Sequence, residues 1–148
     1  MRARLLFLVT TTAAQIHCSQ YSAEEGLTGG QEPVDVDEVK DIVWHAIPSL
    51  NIGNDGNWIV PFKVISATRQ IVAGLLYRIN VFVTETKCSR STTAVDEINA
   101  TNCPIKLDGR LEQWEISYME QEWLDVHNYT AKKTADVTWD QVKLFKKS

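Results

Sequence analysis

Two alternating apolar runs constrain the fold of this chain more than any other feature. They cover residues 58–65 and 75–84, and in each run every second residue is apolar or aromatic. A period of two is typical of β-strands, so the runs predict a long antiparallel hairpin with arms of about ten residues. Pro61 lacks an amide hydrogen and indicates a sheet edge or a bulge.

The tip of this predicted hairpin has an unusual composition. It consists of Gln70, Ile71, Val72, Ala73 and Gly74, whereas short hairpin turns usually carry polar pairs such as Asn-Gly. Turn geometry does not require three apolar side chains. They therefore predict either packing under another element or a surface kept for a partner.

Residues 33–47 are the best helix candidate. Its apolar residues recur at helical spacing, and they are Val36, Val39, Val43 and Ala46. Asp35 followed by Glu38 matches a capping box, and Pro48 predicts the end of the helix at the preceding residue.

Two further strands are predicted after the hairpin. Trp114, Ile116 and Tyr118 alternate in a strand near residues 110–120. A second turn around Trp123 precedes a last strand over about residues 124–131. The lysine-rich segment that follows has no clear period and receives no assignment.

The N-terminus has the pattern of a secretory signal peptide. Arg2 and Arg4 precede an uncharged apolar run over residues 5–14, which is too short to span a bilayer. Small residues follow, which predicts a signal peptide over residues 1–19 with cleavage between 14 and 19, and a secreted product. The alternative is a buried N-terminal strand.

Charge and cysteine content reduce the number of partner classes and of cysteine functions that the chain can have. Loss of Arg2 and Arg4 with the signal peptide changes the net charge from −4 to −6, which disfavours nucleic acid. No second long apolar run is present, so we expect no membrane attachment. If cleavage also removes Cys18, then Cys88 and Cys103 remain and would pair in an oxidising compartment. If cleavage falls at Ala14, Cys18 remains as an odd thiol. Metal binding is the rival reading, disfavoured because histidines are absent at ligand spacing.

Two N-glycosylation sequons also fit a secreted surface. Asn99 begins Asn-Ala-Thr and Asn128 begins Asn-Tyr-Thr. Each predicts an exposed position that can carry a glycan.

The order of helix, hairpin, cysteine loop and second hairpin resembles that of the secreted type 2 cystatins, most like those of nematodes and other helminths. Three motifs carry the resemblance over roughly residues 27–134. They are Leu27-Thr28-Gly29-Gly30, then Gln70-Ile71-Val72-Ala73-Gly74, then Trp123. The resemblance implies an α+β fold in which one helix is cradled by a twisted antiparallel sheet. It implies a signal peptide over 1–19, a cystatin domain over 20–135 and a tail over 136–148.

The family inhibits papain-like cysteine proteases, so the resemblance implies a monomeric inhibitor that needs no cofactor and no metal. A wedge would enter the V-shaped cleft of the protease. Leu27 and Thr28 would fill the non-primed pockets, and Gly29, followed by Gly30 in the same contact segment, would let the chain turn away from the catalytic sulfur. The tip over residues 70–74 would fill the centre of the cleft, where Gly74 permits close approach.

The sequence departs from the family pattern in two places. Trp123, which would contact the primed side of the cleft, is preceded by Glu122, where the family usually has proline. The second turn therefore loses a fixed φ and gains a charge. The second disulfide is absent, and its cysteines would fall near Trp114 and Thr134. Trp114 is expected to fill that volume as core.

Some type 2 cystatins also inhibit asparaginyl endopeptidases, the legumains, through Ser-Asn-Asp after the helix. Gly53, Asn54 and Asp55 occupy the corresponding loop here, with Gly53 in place of serine. The resemblance therefore implies a second site that presents Asn54 in an exposed loop. Asn, Asp and Gly together are also ordinary turn residues, which is the alternative.

Three other readings compete with protease inhibition. An enzyme is disfavoured because no serine or cysteine motif stands at catalytic spacing from any histidine. The three histidines are His17, His45 and His127. A cystatin-like binding module that has lost inhibition and an oligomerising β-protein remain as alternatives.

Overall fold

The computed structural model of the chain describes residues 29–144. The predicted signal peptide, Leu27 and Thr28 lie outside these residues. The described part forms one five-stranded antiparallel sheet in chain order. Its strands are β1 (Gln31–Val34), β2 (Asn57–Val72), β3 (Gly74–Ser89), β4 (Leu111–Gln121) and β5 (Val126–Asp136). The helices are α1 (Lys40–His45), α2 (Ile47–Leu50) and α3 (Trp139–Leu144).

The predicted hairpin is present and longer than expected. Each arm has 16 residues, because β2 continues past the first apolar run to pair with both β1 and β3. Register shifts interrupt the β2–β3 ladder, one of them between Pro61 and Lys63. β1 reaches only Ala67 along β2. Pro61 therefore lies both on an uncovered edge and at a bulge, as predicted.

The predicted start of the helix is wrong. Pro33 and Val34 pair with Thr68 and Ala67 in the sheet, and α1 begins only at Lys40. The Asp35 carboxylate accepts a hydrogen bond from the Asp37 amide at 2.8 Å. Such local bonds by aspartate compete with helical hydrogen bonding.

The predicted capping box and helix end are wrong as well. Val39 caps α1 and makes no side-chain capping bond, so Glu38 does not complete a box there. Pro48 lies in the first turn of α2, where a missing amide hydrogen breaks no intrahelical bond. The Leu50 amide bonds to the Ala46 carbonyl at 3.0 Å. The chain thus stays helical past Pro48. No described helix has the length and apolar character needed to cross a membrane.

The main core lies between the helical segment and one face of the sheet. Three residues of the predicted stripe are buried, whereas Val36 is exposed. The core consists of Val39, Val43, Ala46, Leu50, Ile59, Ala67, Ile79, Val81, Val83 and Ile116. Each fully buried Val, Leu or Ile side chain contributes about 1.5–3 kcal/mol, so this layer is a main source of the stability of the fold.

The segment that the sequence left unassigned covers the opposite face of the sheet. Val142 of α3 packs against Phe82 and Leu111 in a separate buried cluster. Trp139 meets Phe62 edge to face, with ring centroids 5.3 Å apart. The folded unit therefore includes part of the segment predicted as a tail.

Cys88 and Cys103 form a disulfide, with their Cα atoms 5.4 Å apart. The structure thus supports the disulfide and not the metal reading. The Lys87 amide bonds to the Pro104 carbonyl at 2.9 Å. The loop between the cysteines is therefore closed against the end of β3.

Non-covalent contacts join β4 and β5 at the place where the resemblance to type 2 cystatins implies a second disulfide that this chain lacks. Trp114 lies opposite Lys133 and packs against the main core, as expected. Its indole nitrogen donates to buried Glu112 at 2.8 Å, and Lys133 donates to the same carboxylate at 2.9 Å. Thr134 donates to the Gln113 carbonyl at 2.9 Å.

We expect Lys133→Met to lower the free energy of unfolding by about 1–2 kcal/mol, because the buried Glu112 carboxylate then keeps fewer partners. The half-exposed position of Lys133 limits the loss through solvent screening. Urea unfolding measures the effect. The matched control is Lys132→Met, which removes an exposed lysine from the same strand. Equal stabilities for the two variants would contradict the role of this ion pair.

Candidate functional site

Three chain segments meet at one end of the sheet. The β2–β3 hairpin reverses at Ala73, because Val72 pairs directly with Gly74. Only Ala73 of the five predicted tip residues lies outside a strand. Leu75 lies opposite Glu120, so the β4–β5 turn stands beside the reversal.

The N-terminal segment arrives on the other side of this tip. Gln31, the first residue of β1, lies opposite Gln70. Gly29 has a φ of +96°, a conformation that glycine adopts readily. We call the segment before β1 the trunk (residues 27–30), and its described residues Gly29 and Gly30 therefore lie next to the hairpin tip.

The tip and the second turn present apolar side chains to solvent. Ile71 is 58% exposed, Val72 41% and Trp123 67%. A groove of about 260 Å³ lies between the two turns. Its walls are formed by Ile71, Val72, Gly74, Leu75, Glu120, Glu122 and Trp123. Such an exposed, mostly apolar surface is a common feature of protein-binding sites.

Gln121 connects the two turns. Its side-chain amide donates a hydrogen bond to the Ala73 carbonyl at the hairpin tip. This bond fixes the second turn relative to the first. The sequence predicted neither the bond nor a role for Gln121, because the two residues are 48 positions apart.

Gly74 is required by the packing of β3 against β4. Its φ is +136°, and a Cβ there would overlap the Glu120 carbonyl oxygen and lie 2.9 Å from Cγ of Gln121. Any side chain would force the strands apart at the tip. Gly74 therefore allows close approach of two strands within the sheet, whereas its close approach to a protease cleft stays a prediction.

The second turn is closed without proline. Glu122–Leu124 forms one 3-10 turn, and the Asp125 amide bonds to the Glu122 carbonyl at 3.2 Å. Asp125 ends the turn with a φ of +52°, a conformation that aspartate tolerates better than most residues. Leu124 next to Trp123 is also exposed and extends the apolar surface beyond the predicted residues.

Tyrosines on β3, β4 and β5 support the sheet below the turns. Tyr118 stacks on Tyr129 with ring centroids 4.6 Å apart, and the ring centroid of Tyr77 lies 5.9 Å from that of Tyr118. Burial, with the nearby Glu120 carboxylate, raises the pKa of Tyr118 to about 12. Its neutral hydroxyl bonds to Nδ1 of His127 at 2.8 Å. The start of β5 is thereby tied to β4.

Gly53, Asn54 and Asp55 lie in the loop between α2 and β2. Gly53 and Asp55 are exposed, but Asn54 is half-buried. Its side-chain amide donates to the Asn57 carbonyl at 2.8 Å, and Arg110 donates to its oxygen at 3.1 Å. The structure therefore does not present the Asn54 side chain in the exposed form that the sequence suggested.

The same loop is anchored by a buried residue. Asn51 donates to the carbonyls of Ile47 and Ile59, each at 2.8 Å, and accepts from the Ile59 amide. Ile52, which follows, is 81% exposed. The loop is therefore anchored to α2 and β2 and presents an apolar side chain.

The two sequon asparagines are both exposed. Asn99 lies inside the disulfide loop, where its side-chain oxygen accepts from the amides of Thr101 and Asn102. Asn128 lies in β5 opposite Met119, two residues from the start of that strand. Both positions are open to solvent, as a glycan requires.

A cystatin-domain family model matches residues 29–136, and the chain therefore belongs to the cystatin family. Cystatin cpi-1 of Caenorhabditis elegans is 31% identical over 139 residues, which cover 93% of this chain and 95% of that protein. Cystatin cpi-2 of Brugia malayi is 29% identical over 133 residues, covering 81% of this chain and 80% of that protein. The resemblance to nematode cystatins is confirmed.

Solved structures agree with the fold. The crystal structure of Al-CPI has a TM-score of 0.61 at 25% identity, covering 72% of this chain and all of that chain. The crystal structure of dimeric human cystatin F has a TM-score of 0.60 at 17% identity, covering 80% of this chain and 96% of that chain. The predicted α+β cystatin-like fold is confirmed.

Proposed function

We propose that this protein is a secreted, reversible, tight-binding inhibitor of papain-like cysteine proteases and acts as a monomer. The observation that carries the proposal is the exposed apolar tip of Ile71, Val72 and Ala73 beside exposed Trp123. Membership of the cystatin family supports the same role.

The inhibitor acts by filling the cleft without offering a cleavable bond. The hairpin tip enters above the catalytic sulfur, and Trp123 packs on the primed side. Tryptophan is among the commonest interface hot spots. Leu27 and Thr28 of the trunk occupy the non-primed pockets, while Gly29 and Gly30 turn the chain away from the sulfur.

Titration of active papain with the oxidised protein lacking its signal peptide tests the proposal. We expect competitive inhibition at a stoichiometry of one, with intact inhibitor recovered from the complex. Gel filtration checks the monomer. Normal folding without inhibition would favour the rival function, a non-inhibitory cystatin-like binding module.

Glu122→Pro is expected to strengthen inhibition by about two- to fivefold, because proline removes conformational freedom from the free turn. The position accepts proline, since Glu122 begins a 3-10 turn and Gln121 before it, with φ −131° and ψ 86°, lies outside the helical region that proline disfavours in the preceding residue. The control is Glu122→Ala, which removes the charge without fixing φ. An inhibition constant for Glu122→Pro no better than for Glu122→Ala would contradict preorganisation.

The proposal includes a second, separate site for legumain at Gly53, Asn54 and Asp55. Its support is the family resemblance of this loop and its position at the end of β2 remote from Ala73. Recognition of Asn54 requires release of the side chain from its internal hydrogen bonds. The population of released loop then limits the affinity.

Arg110→Ala is therefore expected to strengthen legumain inhibition by about two- to tenfold, because it removes one bond that holds Asn54. Asn54→Ala should abolish legumain inhibition, and both variants should inhibit papain as the unmodified protein does. Inhibition constants against both proteases provide the measurement. Absence of legumain inhibition in the unmodified protein and in Arg110→Ala would end this part of the proposal.

The proposed secretion also places Asn99 and Asn128 in reach of glycosylation. Expression in a secreting eukaryotic cell, followed by mass spectrometry before and after glycan removal, tests both positions. A secreted product with neither site occupied would remove glycosylation from the proposal.

A further inference from the structure

We propose that Arg78 is a positioning residue for the trunk and acts through Gln70. The inference rests on the proposed inhibitory function and adds a residue outside every predicted contact segment. Gln70 donates from its side-chain amide nitrogen to the Gly29 carbonyl at 2.7 Å. Arg78 donates from Nη1 to the side-chain oxygen of Gln70 at 2.9 Å. We call these two bonds the Arg78–Gln70 relay.

Arg78 determines which way the Gln70 amide points. A glutamine side chain has an acceptor oxygen and a donor nitrogen, whereas an arginine is a donor only. With the oxygen held by the guanidinium, the nitrogen must face away from Arg78, and in this structure it faces Gly29. The charge of Arg78 also strengthens its bond to the amide oxygen.

Gly29 and Gly30 need this help because they lie outside the strand pairing of the sheet. Backbone pairing of β1 with β2 begins at Gln31, so Gly29 and Gly30 precede the ladder. Two adjacent glycines have large conformational freedom in the unbound chain. A bond to the Gly29 carbonyl removes part of that freedom before the protease arrives, which lowers the ordering cost of binding.

Arg78 is well placed as the fixed end of the relay. It is half-buried and lies in the middle strand of the sheet, between Thr68 of β2 and Ser117 of β4. Its strand neighbours Tyr77 and Ile79 face the helical side, so Arg78 faces the other side. Through the two bonds of the relay, Arg78 on the middle strand therefore fixes the position of the Gly29 carbonyl.

The test compares Arg78→Met with Lys87→Met, a control that removes an exposed charge from the far end of the same strand. Both are made in the full mature chain, alone and combined with Leu27→Ala. We expect Arg78→Met to speed dissociation from papain by about three- to tenfold, and Lys87→Met to leave it unchanged. Leu27→Ala should have a smaller effect in the Arg78→Met background than alone, because the trunk is already released.

Nuclear magnetic resonance of the free proteins gives a reading that does not depend on inhibition. In Arg78→Met, the Gln70 side-chain amide protons should exchange faster with solvent and the Gly29 amide should gain mobility. Unchanged Gln70 and Gly29 signals would overturn the relay even if papain is inhibited. Additive effects of Arg78→Met and Leu27→Ala on dissociation would overturn it as well. Changed signals in a protein that fails to inhibit papain would support the relay and refute the proposed function.

Discussion

Val72→Asp is expected to weaken papain inhibition by roughly a thousandfold. The reason is that desolvating an unpaired carboxylate costs several kcal/mol. Each tenfold change in affinity corresponds to about 1.4 kcal/mol. Val72 is the last residue of β2 and is 41% exposed in the free protein. The substitution therefore buries no charge until the tip enters a protease. The free energy of unfolding should fall by less than about 1 kcal/mol, which is the range that strand propensities cover.

Ile52→Asp is the matched control for this prediction. It makes the same kind of change at a residue that is 81% exposed and lies in the loop before β2. Inhibition constants against papain and melting temperatures of both variants provide the comparison. A Val72→Asp protein that folds and inhibits as well as Ile52→Asp would refute insertion of the hairpin tip.

The period-two runs were sufficient to predict β2 and β3 because strand alternation is a local signal. The start of the helix was not predictable in the same way. Pro33 and Val34 are strand residues through pairing with Thr68 and Ala67, and no local pattern encodes that pairing. The competing helical pattern was real, since Val39, Val43 and Ala46 are buried. Tertiary pairing decided where the helix could begin.

The tip was predictable from the sequence, but the bonds that hold it were not. An apolar turn stands out against the polar turns of ordinary hairpins, so Ile71, Val72 and Ala73 could be singled out directly. Gln121 and Arg78 look like ordinary strand residues. Their importance comes from partners on other strands, the Ala73 carbonyl and the Gln70 side chain.

These contacts change the expected effect of the missing proline in the second turn. Because Glu122 stands where the family usually has proline, the sequence predicts a second turn without a fixed φ and with a weaker or protease-selective contribution to inhibition. The turn instead has a side-chain bond from Gln121 to the hairpin tip and a helical closure from Glu122 to Asp125. Side-chain contacts between turns thus supply part of the order that a fixed φ supplies elsewhere.

Gly74→Ala is expected to lower the free energy of unfolding by about 2–4 kcal/mol. Part of the loss comes from the positive φ, which costs alanine about 1–2 kcal/mol. The rest comes from an overlap of the new Cβ with the backbone of the neighbouring strand. The added Cβ would overlap the Glu120 carbonyl oxygen. A flexible side chain could move aside, but a carbonyl in the β3–β4 ladder can move only if the strands separate. Separation would pull Gln121 away from the Ala73 carbonyl. Papain inhibition should therefore fall by more than about a hundredfold, since both turns of the wedge lose their relative position.

Gly53→Ala separates the two causes. Gly53 also has a positive φ, +73°, but a Cβ there would meet no atom within 4 Å. Gly53→Ala should therefore lower the free energy of unfolding through the backbone conformation alone, by about 1–2 kcal/mol. It should inhibit papain normally. Urea unfolding and papain titration of the two variants give the contrast. If both lose the same stability and both still inhibit, then the close approach of β3 to β4 at Gly74 does not position the wedge. If only Gly74→Ala loses inhibition, then the absence of a side chain at Gly74 allows the two turns to form a single binding surface.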